Sequence, residues 1–150
     1  MRVLIDADGC PVVELAVRAA RKRNIPVVLF CDTSHYFDLD GADTVTLSQG
    51  ADSADIALVN NIAPGDIVIT QDYGLAALAL AKKALCMDQN GRAYTADNID
   101  ALLLQRHTAK KIRNAGGRLK GPSKRRPKQD AAFRDKLTEL LTRDDNAWQS

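Results

Sequence analysis

The most constraining feature of this chain is a set of short apolar runs that do not alternate. Val3-Leu4-Ile5, Val27 to Phe30 and Ile67-Val68-Ile69 carry no polar residue on either face and are rich in β-branched side chains. A strand covered on one side alternates apolar and polar, so runs that are apolar throughout read as strands buried on both faces of a parallel sheet. The intervening segments supply the covering helices. Val12, Leu15, Ala16, Ala19 and Ala20 recur at helical spacing after Pro11, and Asp52 or Ser53 can cap a helix carrying Ile56, Val59 and Ile62. Helical segments also run from Leu75 to Lys83, from Thr95 to about Asn114, and over about 130–143. Asp43 to Leu47 and Leu85 to Met87 read as further strands, and Asn90-Gly91 as a turn. The expectation is an α/β three-layer sandwich with a mostly parallel central sheet, formed by residues 1–150 as a single domain.

In such a sheet the ligand crevice lies beyond the carboxyl ends of the strands. That rule turns a list of acids into a geometry. Asp6 and Asp8 follow the first strand, Thr70 and Asp72 follow the fourth, and Asp52 and Asp55 open the helix after the third. Any one of these aspartates could be a helix cap or a turn former. Together they imply a rim where carboxylates repel one another unless a cation sits among them, and hard oxygen donors suit Mg²⁺ or Mn²⁺. The expected metal ligands and catalytic residues are Asp6, Asp8, Asp55 and Asp72, with Thr70 positioning a water or ligand. Asp55 is preferred to Asp52, which is the better cap, and Gly9 can supply the turn that at least one carboxylate of Asp6-Ala-Asp8 needs to face a metal. Asp66 precedes its strand and belongs at the opposite edge. The reaction class this pattern suits is metal-assisted phosphodiester hydrolysis.

Charge distribution points to the substrate. The net charge of +2 conceals a segment, 106–128, with ten Lys/Arg and no acid, whereas residues 1–105 carry eight bases and fourteen acids. Such a block attracts polyanions. Arg106, Lys110, Lys111, Arg113, Arg118, Lys120, Lys124, Arg125 and Arg126 are therefore candidate nucleic-acid contacts, with RNA the simplest partner. Residues 116–128 have almost no apolar side chains to bury and are expected to be mobile until a partner binds. Few aromatics interleave the bases, so readout by stacking is expected to be weak.

Asp6-Ala-Asp8-Gly9-Cys10-Pro11, Gly50-Ala-Asp52-Ser-Ala-Asp55, Gly65-Asp66-Ile-Val-Ile-Thr70-Gln71-Asp72-Tyr73-Gly74 and Gly117-Arg118-Leu-Lys120-Gly121-Pro122 resemble the bacterial YaiI/YqxD family over nearly the whole chain. That family is grouped by similarity with PIN-like and NYN-like domains, compact α/β nucleases that cut RNA with Mg²⁺ or Mn²⁺ held by acidic residues. The resemblance implies a PIN-like fold and places that group's acids on Asp6, Asp55 and the pair Thr70 and Asp72, with Asp8 an additional acid of the family's opening. Cys10-Pro11 departs from the PIN pattern.

Two other readings compete. Leu4-Ile-Asp6-Ala-Asp8-Gly9 resembles the aspartyl-nucleophile opening of haloacid dehalogenase-type phosphatases, although Cys10 stands where their Thr is usual and no paired-acid motif follows a later Lys. A non-catalytic RNA-binding module is the third. Cys10 near a helix start is a weak nucleophile candidate, because nearby carboxylates raise a thiol pKa and Ala16 stands where a phosphate loop would place Arg. Cys10, Cys31 and Cys86 are too widely spaced for a zinc knuckle. No apolar run approaches the roughly 20 residues of a membrane span, and no signal-peptide pattern opens the chain. A cytoplasmic protein is expected, and the oligomeric state is left open.

Overall fold

The computed structural model describes residues 1–32, 41–47, 53–116 and 124–143. Its centre is a six-stranded sheet of β1 (Val3–Asp6), β2 (Val27–Asp32), β3 (Ala42–Leu47), β4 (Ile67–Ile69), β5 (Leu85–Met87) and β6 (Ala93–Tyr94), in the spatial order β3-β2-β1-β4-β5-β6. The first five strands run parallel, and β6 returns antiparallel along β5. The helices are α1 (Val13–Arg21), α2 (Ser53–Asn61), α3 (Tyr73–Ala81), α4 (Ile99–Asn114) and α5 (Pro127–Leu141).

Period-two side-chain alternation sends each strand's apolar residues to both faces. Val3, Ile5, Val27, Leu29, Ile67, Ile69 and Met87 bury against α1 and α5, whose Ala16, Val17, Phe133 and Leu137 complete that layer. Leu4, Phe30, Val68 and Cys86 bury on the other side against Leu58 of α2, Leu75 and Ala79 of α3, and Leu102 of α4. The result is the expected three-layer α/β sandwich.

The differences from sequence expectation are local. β6 has only two residues, too short to leave a periodic signal. α5 begins at Pro127 rather than near 130, since Pro at the first helical position sacrifices an N–H that has no helical partner anyway. Its start is fixed by Gln129 Oε1, which accepts the Arg126 N–H at 2.7 Å. α3 begins at Tyr73 rather than Leu75, because Asp72 turns out to be its cap. Asp66 lies at the opening edge of the sheet as expected, paired with Arg2 at 2.8 Å and accepting the N–H of Ala63.

Strand order reverses between β1 and β4. β2 and β3 are laid down to one side of β1, β4 and β5 to the other, so the connections leaving β1 and β4 diverge and open a crevice at their carboxyl ends.

Candidate functional site

Asp6 ends β1, and Thr70 follows β4 directly across that crevice. The Thr70 hydroxyl donates to Asp6 Oδ2 at 2.9 Å and accepts the Asp72 N–H at 3.0 Å. Thr70 is buried, its N–H continues the ladder to the Met87 carbonyl, and its own carbonyl accepts the Tyr94 hydroxyl at 3.0 Å. With its proton spent on Asp6, Thr70 positions a carboxylate. Tyr94 was not foreseen: it lies on the two-residue β6, packs edge-on against Tyr73 at 5.9 Å between ring centroids, and pins the end of β4. No spacing in the sequence marks it.

Asp72 is both a cap and a member of the site. Its Oδ1 accepts the N–H groups of Gly74 at 2.8 Å and Leu75 at 3.2 Å, and also meets Arg106 Nη1 from α4 at 3.2 Å. Gly74 makes this convergence possible, because a Cβ there would stand 3.2 Å from both the Arg106 nitrogen and the Asp72 oxygen. The loop after β1 is tied across the crevice by Gln71 Nε2, which donates to the Gly9 carbonyl at 3.0 Å. Gly9 takes a positive φ of 71°, supplying the expected turn.

Two adjoining hollows result. The larger, about 620 Å³, is lined by Asp6, Asp8, Gln71, Asp72, Tyr73 and Arg106. The smaller, about 350 Å³, has Asp55, Asn60 and Leu78 along its wall, and it shares Asp72 and Arg106 with the first. Asp6, Asp8 and Asp72 thus share one hollow, while Asp55 stands in the next. The four still form one electrostatic unit. Burial, followed by the charges of Asp55, Asp72 and Asp8, pushes the Asp6 carboxyl up from 3.8 to about 6, against the opposing hydrogen bond from Thr70. Burial likewise raises the Cys10 thiol, which disfavours the thiolate a nucleophile requires.

Among the described residues, no three His, Cys, Asp or Glu side chains form a group that could by itself hold a metal ion. The donors that line the larger hollow, the carboxylates of Asp6, Asp8 and Asp72, are hard oxygens of the kind a divalent cation such as Mg²⁺ accepts. Mg²⁺ needs no complete protein cage, being commonly held by one or two carboxylates plus waters and substrate phosphates.

The basic candidates divide. Arg106 lies in the site itself, with its side chain 57% exposed. Arg125 is committed to the fold: its Nε meets Asp130 at 2.7 Å, Nη1 the Asn90 side chain at 2.8 Å and Nη2 the Gln89 carbonyl at 2.6 Å, which staples the start of α5 to the β5–β6 turn. That network, rather than a free cationic surface, is where its guanidinium is used. Lys110, Lys111, Lys124 and Arg126 are exposed. Asp52, Arg118, Lys120 and the side chain of Arg113 lie outside the described residues.

The fold and site define a class: a parallel α/β sandwich with carboxylates gathered at its topological switch point. The chain belongs to a particular family within it, the one described as the uncharacterized YaiI/YqxD family, whose model matches residues 4–143. It is 56% identical over 142 residues to a UPF0178 protein of Exiguobacterium sibiricum, covering 95% of this chain and 97% of that one. It is also 46% identical over 141 residues to a UPF0178 protein of Natranaerobius thermophilus, covering 94% and 96%. A UPF0178 protein of Clostridium acetobutylicum is 44% identical over 145 residues, covering 95% and 98%. No solved structure matches. Among the described residues no helix is long and apolar enough to cross a membrane.

Proposed function

We propose that this protein is a divalent-metal-dependent phosphodiester hydrolase acting on RNA, a PIN-like ribonuclease in chemistry. The observation that carries the reading is geometric: Asp6 and Asp8 after β1 and Asp72 after β4 line one hollow, and Asp55 of α2 lines the hollow that adjoins it. Asp6, Asp8 and Asp72 would hold a Mg²⁺ or Mn²⁺ ion in the larger hollow, with Asp55 flanking it. When bound, the ion supplies a Lewis acid for a phosphoryl oxygen and offsets charge developing in the transition state. Thr70 holds the Asp6 carboxylate in one orientation, and the α3 cap holds that of Asp72. Arg106 pairs with Asp72 and lines both hollows, and its planar fork would suit a bidentate contact with a phosphate there. The exposed bases Lys110, Lys111, Lys124 and Arg126 would track the RNA backbone.

The test is cleavage of labelled single-stranded RNA in Mn²⁺ by the wild type, Asp6→Asn and Asp72→Asn. Asn caps a helix about as well as Asp, so the second substitution removes charge while keeping α3 intact. Each is expected to lower the rate by about 10²–10⁴-fold with the far-ultraviolet dichroism unchanged. Undiminished cleavage by both, or a phosphoaspartate trapped on Asp6, would overturn the proposal, the latter in favour of the aspartyl-nucleophile chemistry of a phosphatase.

A further inference from the structure

A second charged hollow shares no lining residue with the carboxylate site. α1 follows the Asp6–Gly9 loop and leads through a short turn into β2. α5 starts at the β5–β6 turn, where Arg125 anchors it, and runs alongside α1. Between the two helices is a cavity of about 430 Å³ walled by Arg18, Lys22, Arg23, Arg134 and Thr138, with no acid in its lining.

Among the described residues these four cations have little part in holding the fold together. Lys22, Arg23 and Arg134 make no ion pair among the described residues, and Arg18 meets only Glu14 at 3.9 Å, with both side chains at least 70% exposed. Such exposed pairs contribute little. Arg18, Lys22 and Arg23 near the end of α1 complement its dipole, but that end carries only about half a negative charge, far short of three cations. Arg134 sits in the middle of α5, where no helix end calls for it. The cavity volume falls in the range of small-molecule sites, and its positive charge is concentrated rather than strung along a groove.

We propose that this cavity binds a compact polyphosphate, the pyrophosphate or triphosphate group of a small ligand, independently of the carboxylate site. Arg18, Arg23 and Arg134 would offer guanidinium forks, Lys22 a point charge and Thr138 a hydroxyl donor, a set matched to several closely spaced phosphoryl oxygens. An extended phosphodiester backbone places about one charge per nucleotide and would leave much of this convergent charge unmatched.

The experiment is calorimetric titration of the full chain with inorganic pyrophosphate and with tripolyphosphate, at fixed ionic strength and without divalent cations. Wild type, Arg134→Gln, the pair Lys22→Gln with Arg23→Gln, and Asp6→Asn are compared. Tripolyphosphate is expected to bind more tightly than pyrophosphate. Arg134→Gln and the α1 pair are each expected to weaken both by about 10-fold or more, and Asp6→Asn to leave them unchanged. These bases are exposed, so the variants retain the fold. Equal affinity in all four proteins would overturn the proposal. So would a single-stranded oligonucleotide whose binding falls with the same substitutions but is not displaced by tripolyphosphate, which would make the cavity a backbone contact.

Discussion

At the residue scale, Asp6 carries the argument, and its cost to the fold is measurable. In the unfolded chain its carboxyl titrates near 3.8, whereas in the folded protein it titrates near 6. The folded state therefore holds the proton more tightly. The contribution of Asp6 to stability is fully present below 3.8 and is lost as pH rises through 6. Asp6→Asn removes this penalty. Discounted for partial exposure, the variant is expected to be about 1–3 kcal/mol more stable than wild type at pH 7, with the difference vanishing below about pH 4. Denaturant midpoints measured between pH 3.5 and 7.5 check it, and a variant less stable at pH 7 would contradict the assigned environment. The sequence made Asp6, Asp8, Asp55 and Asp72 legible because a parallel sheet leaves few places for acids that follow strands. It could not reveal that Thr70 spends its proton on Asp6, that Arg106 reaches Asp72, or that Arg125 is a staple. Those facts depend on side-chain reach between elements far apart in the chain.

At the element scale, the strands were legible where burial on both faces removed all alternation, as in Val3-Leu4-Ile5. They were illegible where the strand was too short to have a period, as in Ala93-Tyr94. The turn before β6 is the junction on which α5 docks. Asp88 Oδ1 accepts the N–H groups of Asn90 and Arg92, both at 2.8 Å, and Gly91 between them has a φ of 86°. A Cβ at Gly91 would stand 2.5 Å from the Ala132 carbonyl oxygen of α5, a backbone atom that cannot swing aside. Gly91→Ala combines a left-handed conformation with this overlap and is expected to destabilise the protein by about 2–4 kcal/mol. Thermal or urea unfolding reads that loss directly, and a change within 0.5 kcal/mol would mean the turn and helix are not docked as described.

At the scale of the whole molecule, charge is sorted by location rather than by total. Carboxylates gather at the switch point, Arg106 of α4 lines the same hollow with further exposed bases along α4 and ahead of α5, and another basic hollow lies between α1 and α5. Backbone binding driven by those exposed bases releases counterions, at roughly 0.7 in the logarithmic salt slope for each phosphate neutralised on a single strand. Replacing Lys110, Lys111, Lys124 and Arg126 by Gln is expected to make the salt dependence of RNA affinity shallower by about 2–3 in that slope. Fluorescence anisotropy across a salt series gives the number, and an unchanged slope would remove these residues from the interface.

The central claim, that aspartates from separate segments gather a divalent cation at the β1–β4 switch point, is tested most directly by anomalous scattering from a crystal soaked in Mn²⁺. The account predicts a peak in the hollow between Asp6, Asp8 and Asp72, absent from crystals of Asp6→Asn. A Mn²⁺-saturated crystal with no density at that rim would contradict it.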